Sequence, residues 1–222
     1  MNNLLVIDES VCKHDALCVH ECPANIIQLE GEKHLPAIKP GTDKICLRCG
    51  HCVAVCPHGA LSHIDVPLAA CPPIDKKRII GKEEAVQFLR SRRSARVFQD
   101  KDVEKDKLQQ LIELARYAPT GSNLQLVEWI VYTDRSLLGI FSEMAVEWMR
   151  NVLKKNPKNA PPYIPMLISS WEKGHDVVLR KAPSLILAMA PDFDRNGLVN
   201  CTLALSYLEL AAPKWGLSTC WA

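Results

Sequence analysis

No stretch of this 222-residue chain stays apolar for the roughly twenty residues that a membrane-spanning helix needs, so no such helix is expected. Glycine is scarce, at ten residues, and no two glycines are spaced to begin a G-x-G-x-x-G loop. That absence excludes a separate Rossmann nicotinamide site. The net charge of +2 is too mild to argue nucleic-acid binding. The first residues, MNNLLVIDES, have no basic n-region, and their short apolar run ends at Asp8 and Glu9, so no secretory leader is expected. A cytoplasmic protein fits these absences. Nothing supports Ser-His-Asp chemistry, and no catalytic residue can be named.

Cysteine is abundant by contrast. Seven of the ten cysteines fall in two short loops, where an unpaired metal-binding role suits them better than disulfides. The second loop, Cys46-Leu-Arg-Cys49-Gly-His-Cys52-Val-Ala-Val-Cys56-Pro57, carries four thiols at spacings two, two and three, followed by proline. Three thiolates on one tight loop can reach three corners of an iron–sulfur cube, while the fourth, carried past them, needs a second cluster. Thirty-four residues upstream, Cys12, Asp15, Cys18 and Cys22-Pro23 fall in register with those positions. Asp15 alone departs from the repeat. Zinc, the competing reading for CxxC pairs, gives no reason for a compact run of four cysteines repeated in register.

Roughly residues 1–65 resemble the bacterial two-cluster ferredoxins. The resemblance implies crossed ligation of two [4Fe-4S] clusters. One takes Cys46, Cys49, Cys52 and Cys22; the other takes Cys12, Cys18 and Cys56, with either Asp15 or water at its fourth corner. A carboxylate is a harder ligand than a thiolate, so this corner is expected to hold iron loosely and to convert to a [3Fe-4S] form on mild oxidation. His51, His58 and His63, near the second loop, read as polar loop residues, and Cys71 reads as a bystander.

Charge and periodicity divide the chain. The first seventy residues hold five basic and eight acidic side chains, net −3, and the remainder is net +5. An acidic iron–sulfur domain at 1–70, a proline-stiffened linker at 71–81 and a second domain at 82–222 are expected. Short strands are expected at 4–7, 26–29, 35–38 and 61–64. The second domain should hold a helix from Lys82, another capped by Asp102, a strand at 127–132, a long helix at 135–155 and a further helical piece to about Gly174. The apolar run 184–190 suits a central strand, and 198–212, apolar nearly all round, suits a helix buried in its own chain or against another subunit. His175-Asp176 reads as a solvated helix end.

Arg92, Arg93, Ser94 and Arg96 place three guanidinium groups and a hydroxyl within five residues, a donor set suited to phosphate. Some two dozen residues on, Pro119-Thr-Gly-Ser-Asn123-Leu-Gln125 offers side-chain amides beside a permissive glycine. Together RRSARVF and ARYAPTGSNLQ resemble the nitroreductase family of FMN flavoenzymes, and LRKAPSLILAMAP and LALSYLELAAPKWGLSTCWA extend the likeness. The resemblance implies an α+β fold, an intertwined homodimer, and FMN gripped by Arg92, Arg93, Ser94 and Arg96 with Asn123 and Gln125 facing its ring. The sequence stops at Trp221-Ala222, where family members enter a flavin-flanking segment, so weak FMN binding by this chain is expected. The whole reads as an oxidoreductase that passes electrons from two clusters to FMN and on to a small acceptor such as a nitro compound or quinone, fed by ferredoxin or NAD(P)H. The competing class is an iron–sulfur electron carrier whose second half is a scaffold without flavin.

Overall fold

The computed structural model describes residues 4–222, which group into two compact units. The first runs to Ile79 and also takes in Ser122–Leu124; the second comprises Ile80–Gly121 and Gln125–Ala222.

In the first unit, β1 (Leu5–Ile7) pairs antiparallel with β4 (Leu61–His63), and β2 (Ile27–Glu30) forms a hairpin with β3 (Leu35–Ile38). Two short helices, α1 (Leu17–Glu21) and α2 (His51–Ala54), each follow a cysteine loop. The sequence repeat is written into the backbone. Left-handed conformations recur thirty-four residues apart at His14 and Arg48, Ala16 and Gly50, and Asn25 and Gly59. Such residues turn the chain sharply, and both short helices start immediately after one. Leu5, Cys18, Ile26, Ile27, Val53 and Leu61 form a small core against which Cys22, Cys46, Cys52, Cys56 and Cys71 pack. A core so small gains much of its stability from whatever the cysteines hold. The Cys71 thiol donates to the carbonyl of Pro67.

The second unit holds α3 (Lys82–Arg90), α4 (Lys105–Ala115), β5 (Glu128–Tyr132), α5 (Arg135–Lys155), α6 (Ile164–Glu172), β6 (Leu185–Met189) and α7 (Gly197–Ala211). Asp134 caps α5, accepting from the backbone N–H groups of Ser136 and Leu137. Leu111 and Ala115 of α4 meet Leu208, Ala211 and Ala212, with Trp129 and Ile186 packed on them from the strands.

Three expectations change. Asp102 does not cap α4: the helix starts after Glu104, and Asp102 instead accepts from the Arg135 guanidinium, whose other arm takes Asp100. A fork with two donor edges draws both carboxylates away from the helix end. Secondly, β6 is not central. Among the described residues it pairs only with β5, and Leu187 and Met189 remain exposed. Thirdly, α7 buries one stripe, Gly197, Asn200, Ala204, Leu208 and Ala211, while Leu198 is 84% and Val199 56% exposed. No described helix is long and apolar enough to cross a membrane.

Candidate functional site

The repeat folds its cysteines into two hollows of about 370 and 390 Å³, open mouths included. Cys12, Asp15, Cys18 and Cys56 line the first; Cys22, Cys46, Cys49 and Cys52 line the second. Each hollow thus gathers its own loop's residues and one cysteine from the other half of the repeat. Among the described residues, no three His, Cys, Asp or Glu side chains close on one point as a single-ion site has them. The thiols stand instead around the walls of a larger space.

Electrostatics show how closely the sulfurs are gathered. Burial pushes the Cys52 thiol up to about 11, and the charges of Cys49, Cys22 and Cys46 push the same way. Burial also raises Cys18, with Cys56 and Asp15 adding to the shift. Thiolates crowded like this need positive charge among them, and a cluster's iron supplies it, so both donor sets fit iron–sulfur cubes. Protein N–H groups also reach the sulfurs: Ala60 N donates to Cys56 Sγ at 3.3 Å.

His63 is a residue that the spacing of cysteines does not reveal. It is 2% exposed and lines the second hollow. The backbone N–H of Asp65 donates to its Nδ1 at 3.0 Å, which leaves the ring proton on Nε2. That proton faces Cys46 Sγ at 3.5 Å. Burial holds the His63 pKa below its ordinary value, in keeping with a neutral ring. A signal is present in the repeat, since His63 falls in register with Leu29, which lines the first hollow. A histidine in the place of a cavity-lining leucine has an inward role.

In the second unit, the loop after α3 carries the basic residues. Arg92 Nη1 donates to Glu209 Oε1 at 3.1 Å, and Trp221 Nε1 donates to Glu209 Oε2 at 3.0 Å. The Glu209 side chain is only 10% exposed. Ala95 N donates to the Thr219 carbonyl at 2.8 Å. The basic loop is therefore fastened both to α7 and to the last residues. Arg93 turns back onto the carbonyls of Arg90 and Arg92. Ser94 is half-buried and Arg96 exposed. Among the described residues no salt bridge engages Arg93 or Arg96. Two guanidinium groups without a carboxylate partner, beside a hydroxyl, form a donor set that fits a phosphate. Glu209, the lone charge in apolar α7, is the sequence's sign of an ion pair there.

The amide loop is built around Asn200, which is almost fully buried. Its Oδ1 accepts from Gly121 N at 3.0 Å, and its Nδ2 donates to Asp194 Oδ2 at 2.9 Å. A Cβ at Gly121 would run into the Asn196 side chain and force it to shift. Ser122, Asn123 and Gln125 all have left-handed backbones, and Gln125 N donates to Thr120 Oγ1 at 3.1 Å. Asn123 groups with the first unit, where its Nδ2 donates to the carbonyls of Leu47 and Arg48, both at 3.1 Å. His175 is exposed, but Asp176 is not the solvated group expected. Its carboxylate accepts from the backbone N–H groups of Val178, Leu179 and Lys181. Burial alone would raise the Asp176 pKa; those backbone donors, Lys181 foremost, outweigh it and hold the pKa below the usual value.

Residues 89–222 match the family model described as the nitroreductase family. The chain belongs to the nitroreductase family. Residues 10–61 match the 4Fe-4S dicluster domain, so this nitroreductase carries a ferredoxin-like domain ahead of its α+β half. The ferredoxin-like part is 41% identical over 59 residues to an uncharacterized ferredoxin of Methanocaldococcus jannaschii, covering 26% of this chain and 89% of that protein. It is 37% identical over 62 residues to a tetrathionate reductase component of Archaeoglobus fulgidus, covering 27% of this chain and only 28% of that protein. Among solved structures, a BluB-like flavoprotein from Clostridium difficile 630 matches with a TM-score of 0.51 at 22% identity, covering 62% of this chain and 73% of that one. A nitroreductase with bound FMN from Desulfitobacterium hafniense DCB-2 matches with a TM-score of 0.50 at 21% identity, covering 63% and 69%. These likenesses are of fold.

Proposed function

We propose that this nitroreductase takes single electrons into two [4Fe-4S] clusters, passes them to FMN, and delivers a pair to a small organic acceptor such as a nitro compound or a quinone. Clusters supply one-electron transfer, and bound FMN joins it to two-electron chemistry. The observation that carries the reading is the gathering of seven cysteines and Asp15 into two separate hollows, on the same chain as a nitroreductase domain. Cys22, Cys46, Cys49 and Cys52 hold one cluster; Cys12, Cys18 and Cys56, with Asp15, hold the other.

Arg93, Ser94 and Arg96 bind the FMN phosphate, and Arg92 joins them when it leaves Glu209. Gln125 faces the flavin ring, and Asn123 joins it when its amide leaves the carbonyls of Leu47 and Arg48. The exposed apolar side chains of α7, with Trp148 on α5 and Met166 on α6, support a homodimer. Ferredoxin or NAD(P)H is the electron source, and the protein works in the cytoplasm without nucleic acid.

One observation favours a second reading, an iron–sulfur carrier without flavin: Arg92 is already paired with a nearly buried carboxylate. Anaerobic purification of the whole chain, with iron, sulfide and flavin analysis and a visible spectrum, separates the two. The enzyme reading expects flavin bands over the iron–sulfur absorption and about eight irons per chain, four for each cluster. Iron and sulfide without flavin would support the carrier, and a colourless zinc protein would overturn both.

A further inference from the structure

The first hollow holds more donors than a single cube needs. Besides three thiols it is lined by His14, Asp15 and His58; His14 Nδ1 lies against the His34 carbonyl at 3.2 Å, while Asp15 Oδ2 and His58 Nε2 face one another 3.7 Å apart. Asp15 Oδ1 is committed, accepting from the backbone N–H of Leu17 at 3.1 Å, which leaves Oδ2 as the free oxygen.

The separation of 3.7 Å is too long for a hydrogen bond. Two donors each about 2.1 Å from a metal stand roughly 3.0–3.6 Å apart at angles of about 90–120°, so a small closure of the pair brings both onto one ion that already holds three sulfides. An ion pair between side chains 36% and 37% exposed stabilises little and gives no reason for the pair.

The repeat points the same way independently. His58 follows Cys56-Pro57 as Ala24 follows Cys22-Pro23, and Ala24 lines the second hollow. Cys49 and Ala24 line one hollow; Asp15 and His58 take the matching places in the other. Where the thiolate becomes a carboxylate, the methyl group becomes an imidazole. The register holds one carboxylate for cysteine and, at the same hollow, one nitrogen donor for a side chain that cannot ligate.

We propose that Asp15 Oδ2 and His58 Nε2 together form the fourth-corner site of the first cluster, a mixed oxygen and nitrogen site that holds iron or another borderline divalent cation such as zinc. This rests on the two-cluster reading. Oxidation at this corner releases the metal: a [4Fe-4S]2+ cube gives up one electron to ferricyanide and one Fe2+ to solution, leaving [3Fe-4S]+. One-electron reduction by dithionite gives [3Fe-4S]0, which accepts Zn2+ or Fe2+ with no further electron change. The carboxylate and the imidazole then replace water on the incoming ion.

The test uses the whole chain, purified anaerobically with its clusters. After ferricyanide oxidation and dithionite reduction, Zn2+ or Fe2+ is titrated into the three-iron form, and uptake is followed by electron paramagnetic resonance. In the parent, spin-echo modulation of the cluster reconstituted with Fe2+ and reduced should show coupling to a directly bound imidazole nitrogen. His58→Ala should remove that coupling and weaken Zn2+ uptake by about tenfold or more. Asp15→Cys should restore a fourth thiolate and make uptake of iron indifferent to His58. The second cluster's signal is the internal control for folding. Absence of bound-nitrogen coupling in the parent, which needs no variant, would overturn the proposal, as would unchanged Zn2+ uptake in His58→Ala. A chain with no cluster signal at all would overturn the two-cluster reading itself.

Discussion

Replacing His63 with leucine, the residue that holds the matching place in the other half of the repeat, removes the hydrogen bond to Cys46, a cluster ligand in this account, together with the one from Asp65 N. In the native chain the Asp65 N–H fixes the tautomer, and the Nε2 proton faces Cys46 Sγ at 3.5 Å. A donor aimed at a ligand sulfur favours the more negative, reduced cluster, and losing it should lower the reduction potential. A modest hydrogen bond is worth about 1 kcal/mol net. For a one-electron couple, 59 mV corresponds to about 1.4 kcal/mol, so the expected fall is about 40 mV. Losing the acceptor for Asp65 N should also reduce stability by about 1 kcal/mol. A redox titration of anaerobic protein, followed by electron paramagnetic resonance, reads the two clusters separately. The cluster of Cys22, Cys46, Cys49 and Cys52 should shift downward while its partner stays in place. An unchanged potential, or equal shifts in both clusters, would refute the argument.

Three further outcomes follow from the same geometry. Arg96→Ala should weaken FMN binding by about thirtyfold to 150-fold, as expected for loss of a charged hydrogen bond worth about 2–3 kcal/mol, with iron content unchanged; flavin fluorescence titration measures it. Arg92→Ala should cost stability as well as flavin, because Glu209 is nearly buried and keeps only the Trp221 N–H, and thermal unfolding should show a loss that Arg96→Ala does not. Asp176→Ala should destabilise the second unit by about 2 kcal/mol, since three backbone donors lose a charged acceptor. Because its carboxylate pKa is depressed in the fold, the Asp176 contribution is present above the ordinary carboxylate pKa and fades as pH falls through the lower folded value, so parent and variant should converge in acid.

What the sequence makes legible here is what depends on spacing along the chain. The cysteine register, the hairpin and the helix Arg135–Lys155 are local patterns, and the structure contains each of them. Contacts between distant elements leave fainter marks. The Glu209 pairing with Arg92 spans 117 residues, and only a lone acid in an apolar helix hints at it. Asp102 looks like a cap because capping is judged locally, while its actual partner Arg135 lies thirty-three residues on. The open edge of β6 and the exposed stripe of α7 look interior in sequence because an apolar run reads the same whether its cover comes from its own chain or from elsewhere. His58 and His63 look like loop residues when only the cysteines are aligned. Aligning the two halves of the repeat at every position marks both as replacements of apolar cavity-lining residues.

The passage of electrons from clusters to flavin is tested most directly by stopped-flow spectroscopy of the parent and of Cys52→Ala with a low-potential one-electron donor. Cys52 is a ligand of the second cluster in this account, so its loss should remove that cluster and leave the flavin domain intact. The account predicts that parent flavin reduces after the iron–sulfur absorption bleaches, and that flavin in the variant stays oxidised with this donor while still accepting electrons from a direct chemical reductant. Flavin reduction in the variant at the parent rate would contradict it.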